Sequence, residues 1–320
     1  MSDKRDGKWI DHLRPDMAPV EAARHVLLIR LQVVADYLPR ALDEADRDPE
    51  NVHHLRVATR RAGAALRIFR QSLPGKTFKR AHKRLRRLRR AAGAVRDWDV
   101  FLQDLQAIGE RQPAERQAGL GFLIGYAFDQ RTMAQMELEN VGRKEEAGFE
   151  TFFLDTVAAV TELKSHPPTA TLLGMARPLL SSLLNNLEHA LAGDLDDYPH
   201  LHQVRIAGKH LRYAMEVFVD CYNAEFKEVL YPLVEELQEI LGTLNDSYVA
   251  GDRLGDLRDR LQSSPLVDWA RIGPGIEGML RWHRERLSQE KQSFLSWLER
   301  WRSSGAEAML AVLVKSSVPA

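Results

Sequence analysis

Residues 53–70 read HHLRVATRRAGAALRIFR, and residues 202–219 read HQVRIAGKHLRYAMEVFV. A single offset of 149 sets His53 on His202, Arg56 on Arg205, Ala58 on Ala207, Arg60 on Lys209 and Phe69 on Phe218. The same offset sets Leu88 on Leu237, Gly93 on Gly242, Asp97 on Asp246 and Val100 on Val249. One offset that serves two separated segments points to an internal duplication. On a wheel of 100° per residue, His53, Arg56, Arg60 and Arg67 fall within about 60° of one another. Val52, Leu55, Ala62, Leu66 and Phe69 form a separate face about a third of a turn away. His202, Arg205, Lys209 and Arg212 repeat the cationic stripe beside Val204, Leu211, Met215 and Phe218. Both segments are therefore expected to be amphipathic helices whose polar stripe borders the buried one.

Helical spacing continues to either side. Residues 1–17 form a polar extension with Trp9 and Ile10 as anchors. A helix is expected from Pro19, a residue suited to a first turn, with Pro39 kinking or ending it. Further helices are expected at about 50–72, 76–110, 114–146 and 149–164, with a linker at His166-Pro167-Pro168. The second half repeats the plan at about 170–192, 199–222, 225–262 and 276–302, with Gly273-Pro274-Gly275 read as punctuation before the last helix. No segment alternates as a strand does. The expected fold is all-α: two pseudo-symmetric four-helix bundles, at about 18–165 and 169–303, with a weakly apolar tail over 304–320.

Charge is distributed unevenly. The chain has 45 basic and 45 acidic residues, yet His53 to Arg96 holds fifteen Lys and Arg, three His and no acid. On the helix expected at its end, five like-charged i,i+4 pairs repel by roughly 1–2.5 kcal/mol in total. A multivalent anion would relieve that repulsion; acidic neighbours elsewhere in the fold would do the same. The overall neutrality argues against a general basic binder without excluding a local anion site. Cys221 is the sole cysteine, which excludes an intramolecular disulfide and a cysteine metal cluster. The N-terminus lacks the apolar core of a signal peptide, and no apolar run is long enough to span a bilayer. The expectation is a soluble cytoplasmic protein.

Arginine and lysine at i, i+3 or i+4, and i+7 recur every 5–6 Å along a helix, which suits a linear polyanion. The arginine fork donates two parallel hydrogen bonds to phosphate. His53 and His202 could donate to phosphate when protonated or ligate a metal when neutral. In the third helix, the offset places Arg84 on Leu233, so Arg84 is expected to point into the bundle interior or a channel, flanked by Arg80 and Arg87. Lys83 belongs to the same basic run, while Arg86, Arg89 and Arg90 read as surface charges. Tyr213 and Trp98 read as core.

His53-x-x-Arg56-x-x-x-Arg60 leading to Phe69, then Gly93-x-x-Arg96-Asp97, resembles the first half of a CHAD domain. His202-x-x-Arg205-x-x-x-Lys209-x-x-Arg212-Tyr213, then Gly242-x-x-Asn245-Asp246, resembles its second half. The likeness spans about residues 18–303. It implies two pseudo-symmetric helical bundles that bind inorganic polyphosphate in a basic central cavity, with association with polyphosphate granules. By that likeness His53, Arg56, Arg60, Arg67, His202, Arg205, Lys209 and Arg212 line the cavity; with Arg80, Lys83, Arg84 and Arg87 of the third helix they make up the expected binding set, with no cofactor, no resident metal and no catalysis. The sequence departs from the family pattern at Gly63 and His210. Its second half is less basic, with Glu216, Glu235, Glu236 and Glu239. Some family members are fused to a triphosphate-processing tunnel domain, which residues 1–17 are too short to hold.

Three other readings stay open. A metal-dependent phosphohydrolase or phosphotransfer enzyme would use His53 and His202 with Asp97 and Asp246, yet no glycine-rich phosphate loop or His-Glu-x-x-His motif is present. Non-specific nucleic-acid binding would use the same cations on phosphates, but the basic helices carry few aromatics for base stacking. A helical scaffold would use them in ion pairs between bundles.

Overall fold

The computed structural model describes residues 8–109, 113–161 and 170–315, and among these no strand occurs. The linker His166-Pro167-Pro168 lies outside them. The helices are α1 (Pro19–Asp43), α2 (Glu50–Ile68), α3 (Gly75–Gly109), α4 (Ala114–Glu146), α5 (Phe149–Ala158), α6 (Leu172–Leu191), α7 (Tyr198–Phe218), α8 (Tyr231–Gln262), α9 (Trp269–Ser303) and α10 (Ala306–Lys315). Local chemistry sets their starts. Pro19 opens α1. The side chains of Thr171, Asp197 and Asp268 accept the backbone N–H of Gly174, His200 and Arg271, capping α6, α7 and α9.

Three boundaries differ from the sequence reading. Helix α5, expected to about 164, ends at Ala158. Helix α1 runs through Pro39 to Asp43, because Leu38, Ala41 and Leu42 are buried and packing holds the last turn. Helix α9 begins at Trp269, so Gly273-Pro274-Gly275 lies inside it rather than before it. The glycines there serve packing. A Cβ on Gly119 of α4 would lie 2.1 Å from the Ile272 carbonyl oxygen and 2.8 Å from Gly275 Cα. The backbones of α4 and α9 therefore touch, which only glycine permits.

Buried apolar residues form two clusters, and each draws on both halves of the chain. The larger contains Leu31 of α1, Leu55 of α2, Leu184 of α6, Phe218 of α7, Trp297 and Trp301 of α9 and Leu310 of α10. The smaller joins the far halves of the α3–α4 and α8–α9 hairpins through Phe101, Leu105, Leu123, Leu254 and Met279. Ile10, Leu13 and Met17 of the N-terminal extension sit in the larger core. Lys8 Nζ lies 2.8 Å from a Glu235 carboxylate oxygen, and Trp9 meets Tyr231 edge to face. The C-terminal segment docks through Ala306 and Leu310. No helix among the described residues is long and apolar enough to cross a membrane.

Candidate functional site

The mutual placement of α1, α2 and α7 is fixed by a buried charge cluster. Glu216 of α7, fully buried, accepts from Arg61 Nε of α2 at 2.9 Å and from Arg30 Nη2 of α1 at 3.5 Å. The Tyr231 hydroxyl donates to its other oxygen at 3.1 Å. A buried carboxylate that holds several arginines, Arg212 at 3.8 Å among them, resists removal of any member. With α2 held against α7 in this way, their cationic stripes come together beside α3.

Where the two cores meet, α2, α3, α7 and α8 enclose a cavity of about 230 Å³. His53, Arg56, Arg60, Arg96, Arg205 and Arg253 form its basic walls, and Asp97, Asp104 and Asp246 its acidic ones. Most charges at this end are matched. The Arg56 guanidinium lies against α3 at Gly93, where a Cβ would stand 3.8 Å from it. It donates to the Gly93 carbonyl at 3.2 Å and to Asp97 Oδ1 at 2.7 Å. Arg96 donates to Glu50 at 2.9 Å, and Arg286 to Asp104 at 2.7 Å. Arg253 stacks on Trp98 at 3.9 Å from the ring centre. Burial, then the Arg96 charge, pushes the His53 imidazole down to about 4, so it is neutral at pH 7. His202 Nδ1 lies 3.2 Å from Asn245 Oδ1. Asn245 thus attends His202 from the position, offset by 149, that Arg96 holds beside His53. Burial raises the Asp246 carboxyl above its usual range despite Asn245 and Arg205.

Next to this matched end lies an unmatched one. Arg60 and Arg67 of α2, Arg205 and Lys209 of α7 and Arg89 of α3 are all half-buried. None of the five forms an ion pair among the described residues, and the Nε atoms of Arg60 and Arg205 are sealed without a hydrogen-bond partner. They act on one another: burial first, then Arg205, Arg60, Arg89 and Arg67, pushes the Lys209 ammonium down to about 7. Burial and Arg89 lower Arg67, and burial lowers Arg89 with Arg56 and Arg86 adding to it. His210 falls to about 4 through burial, Arg67 and Lys209. His82 is lowered by burial and by Arg67, Arg89 and Arg86. Tyr213, buried as core, lies close enough for Arg60, Arg67 and Arg89 each to feel its phenol.

The remaining sequence candidates lie elsewhere. Arg84 does enter the bundle interior, but beside α4 and α5. It pairs there with the Glu145 carboxylate, donates to the Glu145 carbonyl at 2.7 Å and to the Gly148 carbonyl at 3.2 Å, and lies over Phe152. Arg87 reaches the other Glu145 oxygen at 2.6 Å. Arg80 is exposed at a recess with Lys76 and Asp155, and Lys83 is exposed. Arg212 is matched by Glu235 at 3.2 Å and Glu216 at 3.8 Å. Arg89, read from the sequence as a surface charge, instead joins the unmatched row. The row His82, Arg86, Arg89, Gly93 at spacings of four, three and four was the available signal, because Gly93 marks where α3 admits Arg56.

Fold and site define an all-helical protein whose cationic stripes meet at a helix crossing. Residues 26–255 match the CHAD domain, and the chain belongs to the CHAD domain family. Among solved structures, the CHAD domain from the plant Ricinus communis is similar, with a TM-score of 0.68 and 21% identity over 91% of this chain and 95% of that one. PptA from Streptomyces chartreusis is similar with a TM-score of 0.62 and 17% identity, covering 88% of this chain and 99% of that one. No curated protein sequence matches the chain.

Proposed function

We propose that the protein binds inorganic polyphosphate, without catalysis, through Arg60, Arg67, Arg89, Arg205 and Lys209, with Arg56, His53 and His202 at the adjoining cavity. The observation that carries this reading is that, among the described residues, five half-buried cations form no ion pair in a protein with as many acids as bases. Removing a cation from water is costly unless an anion accompanies it. Elsewhere in the fold that anion is internal: Glu216 for Arg30 and Arg61, Glu145 for Arg84, Asp99 for Arg131. At the helix crossing it is left to come from solution. Several phosphates at once fit this arrangement better than one, because the cations are spread over three helices, α2, α3 and α7. CHAD family membership supports the same ligand.

A metal-dependent hydrolase needs converging ligands, and among the described residues no group of three His, Cys, Asp or Glu could hold an ion. The test is a titration with long-chain polyphosphate at rising salt, with single-stranded and duplex DNA as competitors. Tight binding that resists excess DNA is expected. The double variant Arg60→Gln/Arg205→Gln should lose most of it, since each charged hydrogen bond is worth roughly 1.5–3 kcal/mol. A variant that binds like the parent, or equal affinity for all three polymers, would overturn the proposal.

A further inference from the structure

The lysines of this protein differ sharply in their surroundings. Lys76, Lys79, Lys83, Lys144 and Lys227 are exposed. Lys8 and Lys291 are held by Glu235 and Asp196. Among the described side chains, Lys209 is the one half-buried lysine that forms no ion pair. Charges act on it from three helices, and they are positive: Arg205 one turn before it on α7, Arg60 and Arg67 of α2, and Arg89 of α3. His210, the next residue on α7, is neutral at pH 7 and adds no charge.

An amine placed among cations, partly out of water and without an ion pair, gives up its proton readily. The ordinary lysine value of 10.5 falls here to about 7, through burial first and the four arginines after it. Near pH 8 most of Lys209 is therefore free amine, whereas an exposed lysine is free in about one molecule in three hundred. Desolvation and neighbouring cations are what turn a lysine into a nucleophile. The same arginines are suited to bind a phosphate through their planar forks. Arg60 and Arg205 also line the cavity of about 230 Å³, so a small phosphorylated molecule that enters it meets both. A reagent that uses the amine and the arginines together carries an electrophilic carbon joined to a phosphate.

We propose that Lys209 is a covalent modification site for acyl phosphates, its acylation directed by the arginines around it. The amine attacks the carbonyl carbon and a C–N bond forms. The bond from that carbon to the phosphate oxygen breaks, and its electron pair goes to the oxygen. One amine proton passes to the departing phosphate, which leaves as hydrogenphosphate, and the product is a neutral amide. Arg60 and Arg205 hold the phosphate and stabilise the negative charge that gathers on it. Acylation removes one of the five unmatched cations. It therefore weakens polyphosphate binding, a consequence that rests on the function proposed above, whereas the modification itself does not.

The test treats the folded, unmutated protein with acetyl phosphate across a pH series and follows each lysine by peptide mass spectrometry. Near pH 8, Lys209 should be acetylated roughly tenfold faster than Lys144 or Lys227. Its rate should level off above about 7, while theirs keep climbing with pH. Excess inorganic phosphate should slow Lys209 alone, and an acetyl ester without a phosphate should prefer Lys209 much less. Exposed lysines that react as fast as Lys209, or a Lys209 rate that climbs with pH as theirs do, refutes the modification site. Equal preference for Lys209 with acetyl phosphate and with the neutral ester also refutes it, because the arginines then direct nothing. Saturating long-chain polyphosphate should protect Lys209. Acetylation selective for Lys209 yet untouched by polyphosphate would overturn the proposed function and leave the modification site standing.

Discussion

Lys209→Met is expected to make the unliganded protein more stable. The ammonium is held at about 7 where a free lysine stands at 10.5, first by burial and then by Arg205, Arg60, Arg89 and Arg67. That difference corresponds to about 5 kcal/mol against the charged form in the folded chain. A long flexible stem that still reaches some water reduces this, so a gain of about 2 kcal/mol at pH 7 is the working figure. Above pH 10.5 the lysine is neutral folded and unfolded, and methionine gains only apolar packing. Between 10.5 and about 7 the unfolded chain takes up a proton that the folded chain refuses, so the variant's advantage grows as pH falls. Below about 7 both states are protonated and the advantage is constant. Urea unfolding followed by tryptophan fluorescence should show a higher midpoint for the variant at pH 7 and a much smaller difference near pH 10.5, with an unchanged slope. Saturating long-chain polyphosphate should then stabilise the parent more than the variant, because the ligand binds the folded state only. A gain equal at both pH values, or a variant less stable than the parent at pH 7, would refute the reasoning that Lys209 is buried among cations without an anion.

Polyphosphate binding near pH 8 should take up protons, since the anion restores Lys209 toward its ordinary value; calorimetry in buffers of different ionisation heat should show it, and Lys209→Met should abolish it. Independence from the buffer in the parent would count against the site. Glu145→Gln removes the shared partner of Arg84 and Arg87 and should cost about 3 kcal/mol in urea unfolding while leaving the polyphosphate Kd unchanged. A change in Kd of tenfold would place those arginines in the ligand's path after all. Gly119→Ala puts a methyl 2.1 Å from the Ile272 carbonyl oxygen and should lower stability by roughly 1–3 kcal/mol, and a variant as stable as the parent would show that α4 and α9 do not touch there.

The helices were legible because their apolar period is strong, and the exceptions were positions where packing overrules local preference. Pro39 is carried through by Leu38, Ala41 and Leu42. Gly273 and Gly275 looked like breakers because glycine and proline punctuate loops, whereas Gly275 is there to admit Gly119 of another helix. Such a purpose depends on a partner about 150 residues away. The stripes of α2 and α7 were legible for a different reason. Each lies beside an apolar face on its own helix, so one wheel locates both, and the offset of 149 puts them in parallel positions.

The arginines of α3 were harder, for a reason that bears on the site itself. Arg84, Arg87 and Arg89 stand in one acid-free stretch, and no acidic neighbour along the chain tells which of them is paired. What separates them is a carboxylate brought by folding. Glu145, on α4, meets Arg84 and Arg87, and among the described residues Arg89 forms no ion pair. Glu216 does the same on α7, reaching Arg61 but none of Arg60, Arg67 or Lys209. Reading cations alone therefore finds too many candidates, since a buried arginine is as often structural as functional. The cation that matters is one the fold has buried and then declined to pair, because the energy of that omission is available only to an anion from outside.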